Sequence, residues 1–290
     1  MALLAVPGRA GGNEAGSPFA NGWRKIVLSG RKALVLHGEV TLTLSTTSYE
    51  LQELSSPAGP IPAVLLATES RMSLFGVPRV ATRTSSYLRP PDYRSLEFIE
   101  VKEGRSAKRL LFQGGACRQV RTRPPRGREN LPVTEWEVYE DEELPLLLPG
   151  GEPLPEGTAL HDSYALLFLA SRTDWEGAGG GGEFVVVSRG RPLRVAMRPG
   201  RRHETIRRIR NLSTGETLSR QLKEREVILA PVGDGGEETG LLAMRGEVEV
   251  WVEEGSGALL EVSGKIPDVP GRTVLKIRAF EPGEAGKENP

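Results

Sequence analysis

Between residues 32 and 44, apolar side chains fall at Leu34, Leu36, Val40, Leu42 and Leu44. A period of two marks a half-buried strand, because successive side chains point to opposite faces of a sheet. His37-Gly38 interrupts the run and reads as a bend or bulge between two strands. The same alternation predicts strands over 65–74 and 80–87, separated by Phe75-Gly76-Val77-Pro78, where glycine admits unusual φ and proline ends a ladder. Strands over 96–101 and 108–112 follow, with Lys102-Glu103-Gly104-Arg105 as a polar turn of hairpin length. The first half of the chain therefore reads as a meander.

Beyond Cys117 the pattern changes. Residues 121–128 are basic and proline-rich, and 135–156 are acidic with further prolines, a composition that reads as a long loop or linker. Residues 161–170 carry the strongest helical signal: Asp162 or Ser163 can cap its first turn, and Tyr164, Leu167 and Phe168 share one face. The glycine run 177–182 predicts a flexible loop that ends it. Alternation resumes over 184–187, 193–197, 205–211, 217–229, 241–252, 259–266 and 273–280.

The expected fold class is all-β, mainly antiparallel: a curved sheet or open barrel-like architecture with one short helix. An N-terminal tail (1–23) precedes a β domain over 24–280, and a polar, disordered tail closes the chain over 281–290. Within the domain two β runs, 24–123 and 184–280, are joined by the loop–helix segment 124–183. They form either two similar halves or one sheet curling around the helix.

Composition narrows the function classes. At 290 residues the chain can bury a core without staples, and its one cysteine excludes an internal disulfide framework. Lys and Arg balance Asp and Glu at 38 each, so no whole-molecule field selects nucleic acid, an anionic membrane or an acidic substrate. No apolar run approaches the roughly 20 residues of a membrane-spanning helix. The opening Met1-Ala2-Leu3-Leu4-Ala5-Val6-Pro7 lacks the basic and full apolar regions of a signal peptide.

Candidate chemistry is sparse. His37, His161, His203 and Cys117 have no ligand spacing, so no metal or cofactor is expected. The glycine run lacks the Gly-Lys-Ser/Thr ending of a phosphate loop. Cys117, next to Arg118, is either an activated thiolate or a small buried residue, and the second reading outweighs the first. His161 and Asp162 are adjacent, but neighbouring helix-start residues point different ways, which favours a polar cap over a general-base dyad. Gly255-Ser256-Gly257 reads as a hairpin tip. The basic segment 201–210 offers Arg202, Arg207, Arg208 and Arg210 as contacts for an anion such as a phosphate, lipid headgroup or polysaccharide. An edge strand blunted by charge has the same pattern and the larger prior. No aromatic residue interleaves with these arginines to stack on bases, so sequence-specific nucleic-acid recognition is not expected.

Three segments together resemble a bacterial family of exported β proteins, the domain-of-unknown-function 3108 family. They are Leu28-Ser29-Gly30 with His37-Gly38-Glu39-Val40, the stretch from His161 through Tyr164 to Leu169, and Glu249-Val250-Trp251-Val252 with Leu259-Leu260-Glu261-Val262. The resemblance implies a curved antiparallel sheet and a periplasmic or cell-envelope location, with a cytoplasmic one as the alternative. It implies no activity. A further likeness is to lipoprotein-carrier folds, in which a sheet wraps a helix around an apolar cavity. The sequence thus names no specific activity. The leading expectation is a non-catalytic binding or carrier module whose Tyr164, Leu167 and Phe168 line a site for an apolar or lipid-like ligand. The alternative is a scaffolding protein that meets an anionic partner through the basic strand.

Overall fold

A computed structural model describes residues 22–32, 36–50, 60–74, 77–113, 115–173, 175, 181–233, 240–267 and 269–283. Most of the predicted N-terminal tail, the end of the C-terminal tail, Leu34 and most of the glycine run lie outside these residues. The first run comprises β1 (Trp23–Lys32), β2 (Leu36–Tyr49), β3 (Ile61–Leu74), β4 (Val77–Arg89), β5 (Arg94–Lys102), β6 (Ser106–Gln113), β7 (Ala116–Arg123) and β8 (Glu137–Glu143). A short β9 (Leu160–Asp162) leads into helix α1 (Ala165–Arg172). The second run is β10 (Gly182–Ser188), β11 (Arg191–Asn211), β12 (Thr217–Pro231), β13 (Gly240–Leu241), β14 (Met244–Glu253), β15 (Leu259–Lys265) and β16 (Arg272–Pro282). The fold is all-β, as expected.

Both runs belong to one sheet. From β8 the strands run in sequence order down to β1, which pairs antiparallel with β16, and then through β15, β14, β12, β11 and β10 to β9. The far end of β16 also pairs with β11 through Ala279 and Phe280, so β11, β12, β14, β15 and β16 close a ring. At the other side the sheet curls until β5–β7 pack against β9 and β10, through Phe98, Leu110, Phe112, Cys117, Leu160 and Val187. Every residue of α1 from Ala165 to Ser171 is buried inside this roll. A helix that is apolar on all sides belongs in a core, not on a surface.

Three expectations from the sequence are corrected by the structure. His37 and Gly38 are not a bend: they lie within β2, opposite Arg31 and Gly30, and the chain reverses before Leu36. Gly38 occupies the inward phase that Val40, Leu42 and Leu44 continue, so it is a missing side chain in an unbroken strand. The acidic stretch is not all linker either. Glu137–Glu143 is an edge strand on β7, held by opposite charges: Arg118 donates to both Asp141 carboxylate oxygens at 2.7 Å, and Arg121 lies 3.2 Å from Glu140. The segments 193–197 and 205–211 likewise form one strand, β11, interrupted by a bulge between Pro199 and Arg202. Proline lacks the donor for regular pairing there.

Glycine sets the closest approach in the sheet. A Cβ on Gly30 would stand 2.1 Å from the Val274 carbonyl oxygen, whereas one on Gly38 would meet only Leu275 Cδ2 at 3.6 Å. Gly30→Ala must therefore push β1 from β16, and we expect it to lower stability by about 2–3 kcal/mol. Gly38→Ala should cost less than half as much. Urea midpoints of the two variants check this, and equal midpoints would show that the seam between β1 and β16 yields freely.

Candidate functional site

The antiparallel order places the β1–β2, β3–β4, β5–β6, β10–β11, β13–β14 and β15–β16 connections at one end of the roll. Helix α1 occupies the other end: a Cβ on Gly257, in the β14–β15 turn, would meet the Ser171 carbonyl oxygen at 1.8 Å. Two chambers open between the helix and the hairpin ends.

The first is apolar, with a volume of about 320 Å³. Leu28, Val40, Leu42, Val262 and Leu275 form its sheet walls, and Tyr164 and Leu167 contribute the helix side. Gly30 and Gly38 also line it, and the missing side chain at Gly38 leaves part of its space. Near the hairpin ends the lining turns polar, with Glu39, Ser70, Arg71, Thr82, Glu100 and Lys102. Thr68 and Thr84 satisfy one another, Oγ1 to Oγ1, at 2.6 Å. Thr273 does not: it is 5% exposed, faces the chamber, and its Oγ1 has no hydrogen-bond partner. A buried hydroxyl without a hydrogen-bond partner is costly.

The second chamber adjoins the first and is polar, with a volume of about 490 Å³. Lys102, Lys108, Arg121 and Arg189 line it together with Glu100, Ser163 and Ser188. Glu100, Lys102, Tyr164 and Ala243 belong to both chambers. Tyr164 stacks on Phe98 at a centroid distance of 5.7 Å, and burial holds its phenol well above the ordinary range, hence neutral. The β13–β14 turn reaches the boundary with Leu242 and Ala243 both at positive φ, 54° and 61°. Neither is glycine, and such strain is retained mainly where the surrounding structure requires that backbone.

The helix is positioned by Asp162. Its carboxylate accepts hydrogen bonds from Ser86 Oγ (2.9 Å), Ser95 Oγ (2.8 Å) and the backbone N–H groups of Tyr164 (2.8 Å) and Ala165 (3.1 Å). The residue thus caps α1, as its sequence position suggested, and also ties β9 to β4 and β5. His161, one residue earlier, belongs to β9 and turns away to pack edge-on against Phe184 at 5.6 Å. Burial lowers its pKa to about 4, partly offset by Asp92 and a hydrogen bond to the Tyr93 backbone. The two residues form no acid–base dyad.

Of the three helix residues expected to meet a ligand, Tyr164 and Leu167 line the apolar chamber. Phe168 does not. It is fully buried and packs edge-on against Tyr93 at 4.8 Å, because the helix is surrounded and its faces serve different neighbours. The basic strand divides as well. Arg207 donates to both Glu224 carboxylate oxygens at 2.7 Å and lies 3.4 Å from Glu261, while Arg202 pairs with Glu254 at 2.8 Å. Arg208 and Arg210 are exposed and share the phase of Arg202, on the face opposite Arg207. The four arginines are therefore not gathered into one anion site. Cys117 is buried among Phe98, Leu110 and Phe112, and desolvation pushes its thiol up to about 12. That environment disfavours a thiolate nucleophile. Among the described residues no three His, Cys, Asp or Glu side chains converge as a metal site, and no helix is long and apolar enough to cross a membrane.

The polar chamber was hidden from sequence reasoning because its cations come from β5, β6, β7 and the β10–β11 turn, each unremarkable in its own segment. No family model, curated protein or solved structure matches the chain.

Proposed function

We propose that the protein is a non-catalytic binding or carrier module of the bacterial cell envelope, with an apolar or lipid-like ligand held in the roll. The apolar chamber carries this reading. Its volume of about 320 Å³ falls at the lower end of the roughly 300–1,000 Å³ of small-molecule sites, and its walls are mainly hydrocarbon with a few polar groups near the opening. The orphan Thr273 hydroxyl supports an occupant with at least one polar atom. The resemblance to exported β proteins supports the envelope location, and the buried, protonated Cys117 supports a role without nucleophilic chemistry.

Native mass spectrometry of gently purified protein, followed by organic extraction, tests the reading. We expect a co-purifying apolar molecule, and we expect the delipidated protein to bind hexadecanol. Gly38→Leu, which directs a side chain into the chamber, should weaken hexadecanol binding at least about tenfold, or about 1.4 kcal/mol. A chain that carries nothing and binds neither hexadecanol nor palmitate after delipidation would overturn the proposal.

A further inference from the structure

We infer that the ligand is a single-chain amphiphile with an oxyanion head, its chain in the apolar chamber and its head in the polar one. This rests on the carrier reading and specifies its ligand class. The chambers share the walls formed by Glu100, Lys102, Tyr164 and Ala243, so they adjoin at that boundary and a molecule seated in the first has its end beside the second. A volume of about 320 Å³ suits one narrow chain better than a bulky multi-chain lipid.

Charge selects the head. Four cationic side chains, Lys102, Lys108, Arg121 and Arg189, line the polar chamber against two carboxylates, Glu100 and Asp162. Asp162 is occupied by its four donors on the helix and sheet. Glu100 is shared between Lys108 at 3.1 Å and Lys102 at 3.7 Å, so one carboxylate faces two ammonium groups. Arg121 has its own partner, Glu140, at 3.2 Å on the edge strand. At Glu100 two ammonium groups therefore face one carboxylate, with Lys102 at the boundary of the chambers and Lys108 within the polar one. Lys108 is also partly desolvated, with Nζ 5.5 Å from the Phe98 ring centroid and the side chain 24% exposed. An anion arriving there gains charge-assisted hydrogen bonds in an environment that screens them less than bulk water. A cationic head would be repelled by the same positive surplus, and a neutral one would leave it uncompensated.

Calorimetric titration of the delipidated full chain with palmitate, hexadecyl phosphate, hexadecanol, hexadecylamine and inorganic phosphate tests the assignment. We expect palmitate or hexadecyl phosphate to bind at least about tenfold tighter than hexadecanol, and hexadecylamine to bind weakest. Lys102→Gln combined with Lys108→Gln should erase the preference, weakening palmitate and hexadecyl phosphate at least about tenfold relative to hexadecanol. Because the wild-type ligand series is itself decisive, a poorly folding variant leaves the test intact. Equal affinity for hexadecanol and palmitate, or a preference for the amine, would overturn the oxyanion assignment and leave the carrier reading standing. Tight binding of inorganic phosphate that does not compete with palmitate would also overturn it, by making the polar chamber a separate free-anion site. Absence of binding by every chain-bearing probe would remove both readings together.

Discussion

Replacing Asp162 by alanine is expected to lower folding stability by about 3–5 kcal/mol, the largest effect of any single substitution discussed. The change removes the acceptor of four hydrogen bonds at a residue that is 1% exposed. Each donor left buried without a partner costs about 1–3 kcal/mol, with partial relief as the site relaxes. Asp162→Asn keeps one acceptor oxygen and should lose roughly half as much. Urea unfolding with an unchanged slope gives the difference directly. Because the same carboxylate starts α1, the alanine variant should also bind hexadecanol poorly, since Tyr164 and Leu167 would no longer be held against the chamber. A variant with wild-type midpoint and binding would show that packing alone seats the helix.

The second large effect is a loss of stability in mild acid through His161. Its folded-state pKa lies near 4 against an ordinary 6.5, because burial disfavours the imidazolium. The unfolded chain therefore takes up a proton as pH falls through 6.5, while the folded chain does not until about 4. Stability from this group is fully present above 6.5, declines between the two values, and is about 3 kcal/mol lower at pH 4 and below. His161→Phe keeps the ring against Phe184 and loses the bond to the Tyr93 backbone. It should be less stable than wild type at pH 7 and close that gap as the solution is acidified. Titrations of groups that do not interact with His161 are common to both chains and largely cancel in the comparison. Parallel pH profiles for the two proteins would show that His161 is not held neutral.

The limits of sequence reading are visible in particular residues. Alternation located most strands because one face of each is buried, and Asp162 announced the helix start through its capping chemistry. Gly38 misled for a physical reason: a residue without a side chain registers as a break in an apolar pattern, although the strand runs straight through it and the gap becomes chamber. Glu137–Glu143 misled because an edge strand stabilised by opposite charges across the ladder shows no hydrophobic phase. Tyr164, Leu167 and Phe168 share a helical face on spacing alone, yet a fully enclosed helix has no single working face. The polar chamber depends on the curl that brings β5–β7 to β9 and β10, a relation between distant segments that no local pattern encodes.

Strand β16 pairs with β15, its neighbour in sequence, but also with β1 and β11. It acts as the keystone of an arch whose first stone, β1, is laid at the opposite end of the folding chain. Until residues 272–282 have been synthesised, β1 has a partner only in β2, and the ring that includes β11 stays open. Closing so long a loop carries an entropic cost that precedes any reward from the contacts it makes. The meander can form early from neighbours in sequence, whereas the walls of the apolar chamber are complete only once β16, with Thr273 and Leu275, is in place.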